Sequence, residues 1–239
     1  MLEIEKIYKR FGHKAVLKGV TFKLLQGDFI TIIGRIGSGK STILNIIAGL
    51  ISADAGSILY KGQPVNYKDR AYIKDIGFLL SQDYLLEEFS AVLYWKSISK
   101  LLNMKSGEAN TRIEYILDLL NVSDPIGPIS HLSSGNKMLV KFGTMLLGNP
   151  KVLIIDEPFI HLDILEVQKI ENILTNFSKD GNTILMTTHF PEPLFKIGNK
   201  LIILENGIIT DSLSVQDYKD YDGFKSNLAI YFKNNSTSN

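Results

Sequence analysis

Nine consecutive residues, Gly34-Arg35-Ile36-Gly37-Ser38-Gly39-Lys40-Ser41-Thr42, place glycines, one amine and three hydroxyls at a spacing suited to holding polyphosphate. The glycines let successive N–H groups turn inward as an anion nest. Lys40 has the reach for β- and γ-phosphates, and the Ser41 hydroxyl is a ligand for Mg²⁺. A second centre of chemistry is Val152-Leu153-Ile154-Ile155-Asp156-Glu157, a four-residue apolar run that ends on two acids. Asp156 at the tip of a strand would hold the metal through water, and Glu157 would polarise an attacking water as general base. His189 follows another apolar run, Ile184 to Thr188, and would meet the γ-phosphate from the same sheet edge.

These groups need elements to position them. Phe29 to Ile33 is a β-branched apolar run, the mark of a strand buried on both faces, and it stops at the glycine-rich turn. The pattern after that turn predicts a helix over Lys40 to Leu50. Further strands are expected at Leu2 to Tyr8, Val16 to Phe22, Gly56 to Tyr60, Ile76 to Leu80, Lys151 to Asp156, Thr183 to Thr188 and Leu201 to Leu204. Between about Leu85 and Asn121 apolar residues recur at helical spacing, with Gly107 expected to break the stretch into at least two helices. Ser134 to Leu147 and Asp163 to Phe177 are also expected as helices. Strands alternating with helices predict a parallel sheet. The fold class expected is α/β, a P-loop NTPase core with a mostly parallel sheet, N-terminal antiparallel strands and a helical subdomain insert. From Ser214 onward the chain reads as polar, with Tyr218, Tyr221, Phe224, Tyr231 and Phe232 among the polar residues. The last six residues are expected to fray.

Composition narrows the classes further. The chain has 239 residues, enough for one large domain or a domain with a small insert. Lys and Arg number 26 and Asp and Glu 25, so the net charge of +1 gives no basic field for nucleic acid, and no nucleic-acid partner is expected. With no cysteine, disulfides, a Cys zinc site and a Cys nucleophile are excluded. The opening MLEIEKIYKR lacks an apolar core, so no secretion signal is expected, and no stretch approaches the ~18–20 apolar residues that cross a bilayer.

Taken in order, these motifs resemble the ATP-binding subunit of ABC transporters, over roughly residues 2 to 213. Gly34 to Thr42 matches Walker A, and Val152 to Glu157 matches Walker B. Ile160-His161-Leu162-Asp163 looks like the D-loop, with Asp163 its carboxylate, and His189 looks like the switch histidine. Leu132-Ser133-Ser134-Gly135-Asn136 stands where the family has its Leu-Ser-Gly-Gly-Gln signature. The resemblance implies that Ser133 and the N–H groups near Gly135 bind the γ-phosphate held by a second subunit. Ser134 in place of glycine is expected to crowd that approach and slow turnover. Where the family has the Q-loop glutamine, ungapped alignment gives Ser81, with Gln82 next. Either Gln82 reaches the metal by a local shift or that ligand is absent. The family stacks an aromatic residue on adenine; Phe11 aligns there, with Tyr8 its competitor and Val16 in the same pocket.

The resemblance implies ATP and Mg²⁺ as cofactors. It implies head-to-tail pairing, as a homodimer or heterodimer, around two ATP molecules. It also implies a membrane-spanning permease subunit on a separate chain, and a cytoplasmic place, peripheral on the inner face of the cell membrane. Tyr84, Leu85, Leu86 and Phe89 are candidates for the permease contact or for subdomain core. Residues 1–213 are expected to form the ATP-binding domain, with the helical subdomain at about 85–148 and residues 214–239 as a short C-terminal extension. The short tail leans towards an exporter. A non-transport ATPase of this type, or a weakly hydrolysing regulatory subunit, are the alternative readings.

Overall fold

A computed structural model of the chain describes residues 1–67, 75–81, 84–160, 162–189 and 191–233. β1 (Leu2–Phe11) and β2 (Lys14–Leu24) pair as an antiparallel hairpin. Each outruns its expected limits because the chain reverses only at Gly12-His13. β3 (Phe29–Ile33) is buried at every residue and leads through the glycine-rich turn into α1 (Lys40–Ile47). β4 (Ala55–Tyr60) and β5 (Gln63–Pro64) return to the hairpin, which gives a four-stranded sheet in the order β2-β1-β4-β5.

β6 (Ile76–Leu79) precedes three helices, α2 (Ala91–Leu101), α3 (Ser106–Leu120) and α4 (Ser134–Leu146). Alternation then resumes with β7 (Val152–Asp156), α5 (Ile164–Lys179), β8 (Thr183–Thr187), α6 (Pro191–Ile197), β9 (Lys200–Glu205) and β10 (Ile208–Ser214). α7 (Tyr221–Lys233) closes the described chain. The second sheet has six strands, ordered β10-β9-β3-β8-β7-β6. All its pairings are parallel except β10 against β9. The class is therefore α/β, with a mostly parallel sheet, antiparallel N-terminal strands and inserted helices.

Two details correct the sequence reading. The helical stretch breaks at Asn103, whose left-handed φ of 56° ends the turn after α2, while Gly107 sits in the first turn of α3. A glycine near a helix start costs less than one in the interior, so Gly107 is no breaker. The segment after Ser214 is also less polar in effect than it reads. Phe224 and Leu228, four apart, are buried on one face of α7 and pack with Ile33, Leu194, Leu201 and Ile203. Tyr231 at the far end of α7 hydrogen-bonds Asp211 on β10.

Among the inserted helices, Trp95 on α2 is fully buried and its Nε1 donates to Val140 O and Thr144 Oγ1 of α4, each at 3.1 Å. Gly143 makes that approach possible, since a Cβ there would stand 2.3 Å from the indole. Among the described residues no helix is long and apolar enough to cross a membrane.

Candidate active site

Parallel pairing sets the site. β8 lies between β3 and β7, with Ile32 opposite Thr187 and Asp156 opposite Thr187. The carboxyl ends of three buried strands therefore share one edge, where ligands sit in such sheets. At the end of β3 the chain turns through Gly39, at φ 110°, into α1. That backbone shape suits glycine alone at low cost. No side-chain hydrogen bond caps α1, and its leading N–H groups and positive dipole end suit an anion.

Lys40 opens α1 and is buried, with Nζ donating to Gly34 O at 2.8 Å and Arg35 O at 3.3 Å. Burial pushes its amine below the ordinary lysine value, and the carboxylates of Glu157 and Asp156 oppose that shift. Asp156 is buried too, and its Oδ1 accepts from the Thr187 hydroxyl at 2.5 Å. Glu157 takes a left-handed φ of 51° ahead of Pro158, a strained state for a residue with a side chain. Its N–H is held by Thr187 O and Thr187 Oγ1, both at 3.1 Å.

That turn aims the Glu157 carboxylate at His189. Oε2 accepts from the His189 backbone N–H at 3.0 Å, and Oε1 lies 2.9 Å from His189 Nε2. The second contact is close without being an aligned hydrogen bond, so Oε1 keeps acceptor capacity for a ligand. Burial raises the Glu157 carboxyl above its usual range, against the pull of Lys40. Burial, then Lys40, holds the His189 imidazole below its usual value. A carboxyl and imidazole tuned in opposite directions are suited to proton transfer.

A cavity of about 470 Å³ brings Lys40, Ser41, Thr42, Asp156, Glu157 and His189 together. Phe11, Val16, Ile36, Gly37 and Gly39 also line it. Phe11 is half exposed, whereas Tyr8 lies over Gly19 on the sheet surface, where its hydroxyl would touch a Cβ at 2.8 Å. Gly34 and Arg35 line a neighbouring cavity instead, and Ser38 is buried, with its carbonyl accepting from Gly207 N–H at 3.1 Å. Ser81 is a wall of the nucleotide-sized cavity, while Gln82 lies outside the described residues. The Ser41 hydroxyl and Asp156 carboxylate are hard oxygen donors, the set Mg²⁺ takes together with phosphate and water.

Ser133, Gly135 and Asp163 stand apart from this cavity. Ser133 caps α4 by accepting from Asn136 N–H at 3.1 Å, and Asp163 caps α5 in a reciprocal box with Glu166. The two caps touch, because a Cβ on Gly135 would stand 2.0 Å from Glu166 Oε2. Ser134 is exposed. Asn136 Nδ2 donates to Ser133 Oγ at 3.2 Å while its Oδ1 accepts from Ser123 N–H at 2.9 Å, which ties the cap to the loop after α3. Of the four aromatic and aliphatic candidates after β6, Tyr84 and Leu86 are exposed, and Leu85 and Phe89 pack on the core. Ile160 of the D-loop match also lines the cavity, while Thr187 and Lys14 have no motif in the sequence to single them out; only the Thr187-Thr188-His189 run at a strand end hints at the first.

The family model described as ABC transporter matches residues 17–160. A Staphylococcus saprophyticus protein named putative hemin import ATP-binding protein HrtA is 33% identical over 221 residues, 88% of this chain and 99% of the relative. An uncharacterized ABC transporter ATP-binding protein of Methanocaldococcus jannaschii, MJ1023, is 30% identical over 86% of this chain and 74% of its own length. Among solved structures, a dimeric post-hydrolysis state of the ATP-binding cassette MJ0796 with ADP and Pi superimposes with a TM-score of 0.81 at 25% identity, over 90% of this chain and 99% of that one. The ADP conformation of the cassette MJ1267 gives 0.80 at 25% identity, over 98% of each chain.

Proposed function

The chain belongs to the ABC transporter family and is an ATP hydrolase of that kind, and on this premise we propose the roles of its residues, its metal and its partners. The carrying observation is the single cavity that holds Lys40, Asp156, Glu157 and His189 at one sheet edge. Phe11 stacks on adenine with Val16 beside it. The loop N–H groups and Lys40 hold the β- and γ-phosphates. Ser41 and Asp156 would hold Mg²⁺, with Gln82, outside the described residues, as the further ligand that the resemblance implies. Bound there, the ion would neutralise charge on the β- and γ-phosphate oxygens.

Glu157 accepts a proton from a water whose oxygen bonds to the γ-phosphorus. The bond from that phosphorus to the β–γ bridging oxygen breaks, and ADP leaves with the electron pair. His189, held by its own N–H to Glu157 Oε2 at 3.0 Å, is placed to touch the γ-phosphate. Ser133 and Gly135 stand off the cavity of their own chain, which supports their action on the ATP of a second subunit, with Asp163 alongside. ATP then joins two cassettes, and hydrolysis releases them.

The working assembly in this reading is a pair of such chains on a separate membrane-spanning permease, at the inner face of the membrane. Residues 1–213 form the ATP-binding domain, with a helical subdomain at about 85–148 and an extension at 214–239. The exposed Tyr84 and Leu86 are offered to the permease. The names of the staphylococcal relatives, putative hemin import ATP-binding proteins, favour import rather than the export expected from the sequence. The deciding experiment is co-purification with a multi-span membrane protein, followed by ATP-driven transport in vesicles. Failure to co-purify with any membrane protein, together with no ATP-driven transport in vesicles, would overturn the transporter reading.

A further inference from the structure

β9 and β10 are joined by a two-residue turn, Asn206-Gly207, with Ile208 paired to Glu205 across it. Both turn residues have positive φ, 49° and 80°, the backbone of the tight hairpin turns that an Asn-Gly pair favours. Asn206 is exposed, but Gly207 is buried, and its two backbone groups bind two separate parts of the chain. Its N–H donates to Ser38 O of the phosphate loop at 3.1 Å, and its carbonyl accepts from Lys18 N–H on β2 at 2.9 Å. Just before the turn, the Leu204 carbonyl abuts the start of the same loop, where a Cβ on Gly34 would meet it at 2.1 Å.

The bond to Ser38 has a consequence for the next residue. The Ser38 carbonyl and the Gly39 N–H belong to one planar trans peptide, so they point in opposite directions. With Ser38 O drawn to Gly207, the Gly39 N–H is turned the other way. Gly39 lines the cavity that holds Lys40 and Asp156. It also stands directly before α1, where the leading N–H groups have no partner within the helix. The bond to Lys18 acts on the opposite wall, because Val16, two residues earlier on β2, lines the same cavity. Gly207 fits between strand and loop only without a side chain: a Cβ there would stand 2.2 Å from Val16 O and 3.1 Å from Leu17 Cα.

We propose that Gly207 is a positioning residue for phosphate binding. Its N–H fixes the Ser38 peptide so that the Gly39 N–H donates to a phosphate oxygen, and its carbonyl sets the distance from β2 to the loop. Gly207 itself touches no nucleotide and acts through Gly39. The proposal rests on the assignment of Gly34 to Thr42 to phosphate.

The test reads the Gly39 amide by NMR in ¹⁵N-labelled wild type and Gly207→Ala, each saturated with Mg-ADP, alongside calorimetry and thermal melting. In wild type the Gly39 amide proton is expected to move downfield with ADP. In the variant that movement should largely vanish, and ADP affinity should fall about tenfold, the scale of one hydrogen bond to a charged group. A glycine that served stability alone would lower the melting temperature and leave the saturated shift as in wild type, and that result overturns the proposal. If the alanine variant does not fold, the wild-type protein carries the test. Coupling is reciprocal, so Mg-ADP must slow hydrogen exchange at the Gly207 amide. Exchange there that ADP leaves unchanged overturns the proposal. A wild-type Gly39 amide that stays in place while ADP binds overturns the phosphate assignment of the loop as well.

Discussion

The Thr187 hydroxyl donates to Asp156 Oδ1 at 2.5 Å across neighbouring strands, in a position with no exposure to water. The same oxygen accepts from Glu157 N–H at 3.1 Å, so one side chain on β8 orients both acids at the end of β7. Thr187→Val keeps the shape and removes the hydroxyl. A buried hydrogen bond to a charged group is worth about 1.5–3 kcal/mol, and a loss of that size is expected in urea unfolding. ATP turnover should fall more than ATP affinity, and Thr187→Ser should restore both. Unchanged stability and turnover in the valine variant would show that the acids need no such support.

Lys40→Ala removes the buried amine that now bridges the Gly34 and Arg35 carbonyls. Calorimetry should register ATP affinity lower by a factor of about 100 or more, which corresponds to roughly 2.7 kcal/mol. Near-normal affinity would refute the assignment of this loop to phosphate.

Glu157→Gln keeps the shape of the carboxyl but cannot take a proton. Hydrolysis is expected to drop by about 10²–10⁴-fold with binding retained, and an ATP-bound dimer should accumulate on size exclusion. Wild-type turnover in this variant would remove Glu157 as the base.

Gly135→Ala drives a Cβ into the Glu166 carboxylate, which stands 2.0 Å from that position. The capping box of α5 must then open, with a cost of about 1 kcal/mol. The double variant with Glu166→Ala should lose less than the sum of the two single changes, because the clash is gone. Simple additivity in denaturant melts would show that the two caps are independent.

Much of the site was legible because its signals are local. The phosphate loop, the acids after an apolar run and the histidine after another each occupy a few consecutive residues, and alternating strands and helices imply that their ends share an edge. What escaped depends on partners distant in sequence. Thr187 matters only through the register that sets it opposite Asp156. Gly135 reads as part of a phosphate-binding segment, yet its packing against Glu166 needs the crossing of α4 and α5. Phe224 reads as one of several aromatics in a polar tail and Leu228 gives no signal of its own, and only Ile33, Leu194 and the β9 surface give their spacing a purpose. The break at Asn103 was missed because glycine is the stronger local punctuation, although an asparagine with positive φ ends a helix equally well.

β3 leads into the loop proposed to hold phosphate, and its two neighbours are β8 and β9, both encoded far downstream of it. A nascent polypeptide that has just exposed Phe29 to Ile33 has no strand to pair with them, and its glycine turn has no scaffold. Loop closure over so much sequence makes such pairing slow. The capacity to hold a nucleotide is therefore acquired only after Thr183–Thr187 and Lys200–Glu205 have left the ribosome, long after the loop itself.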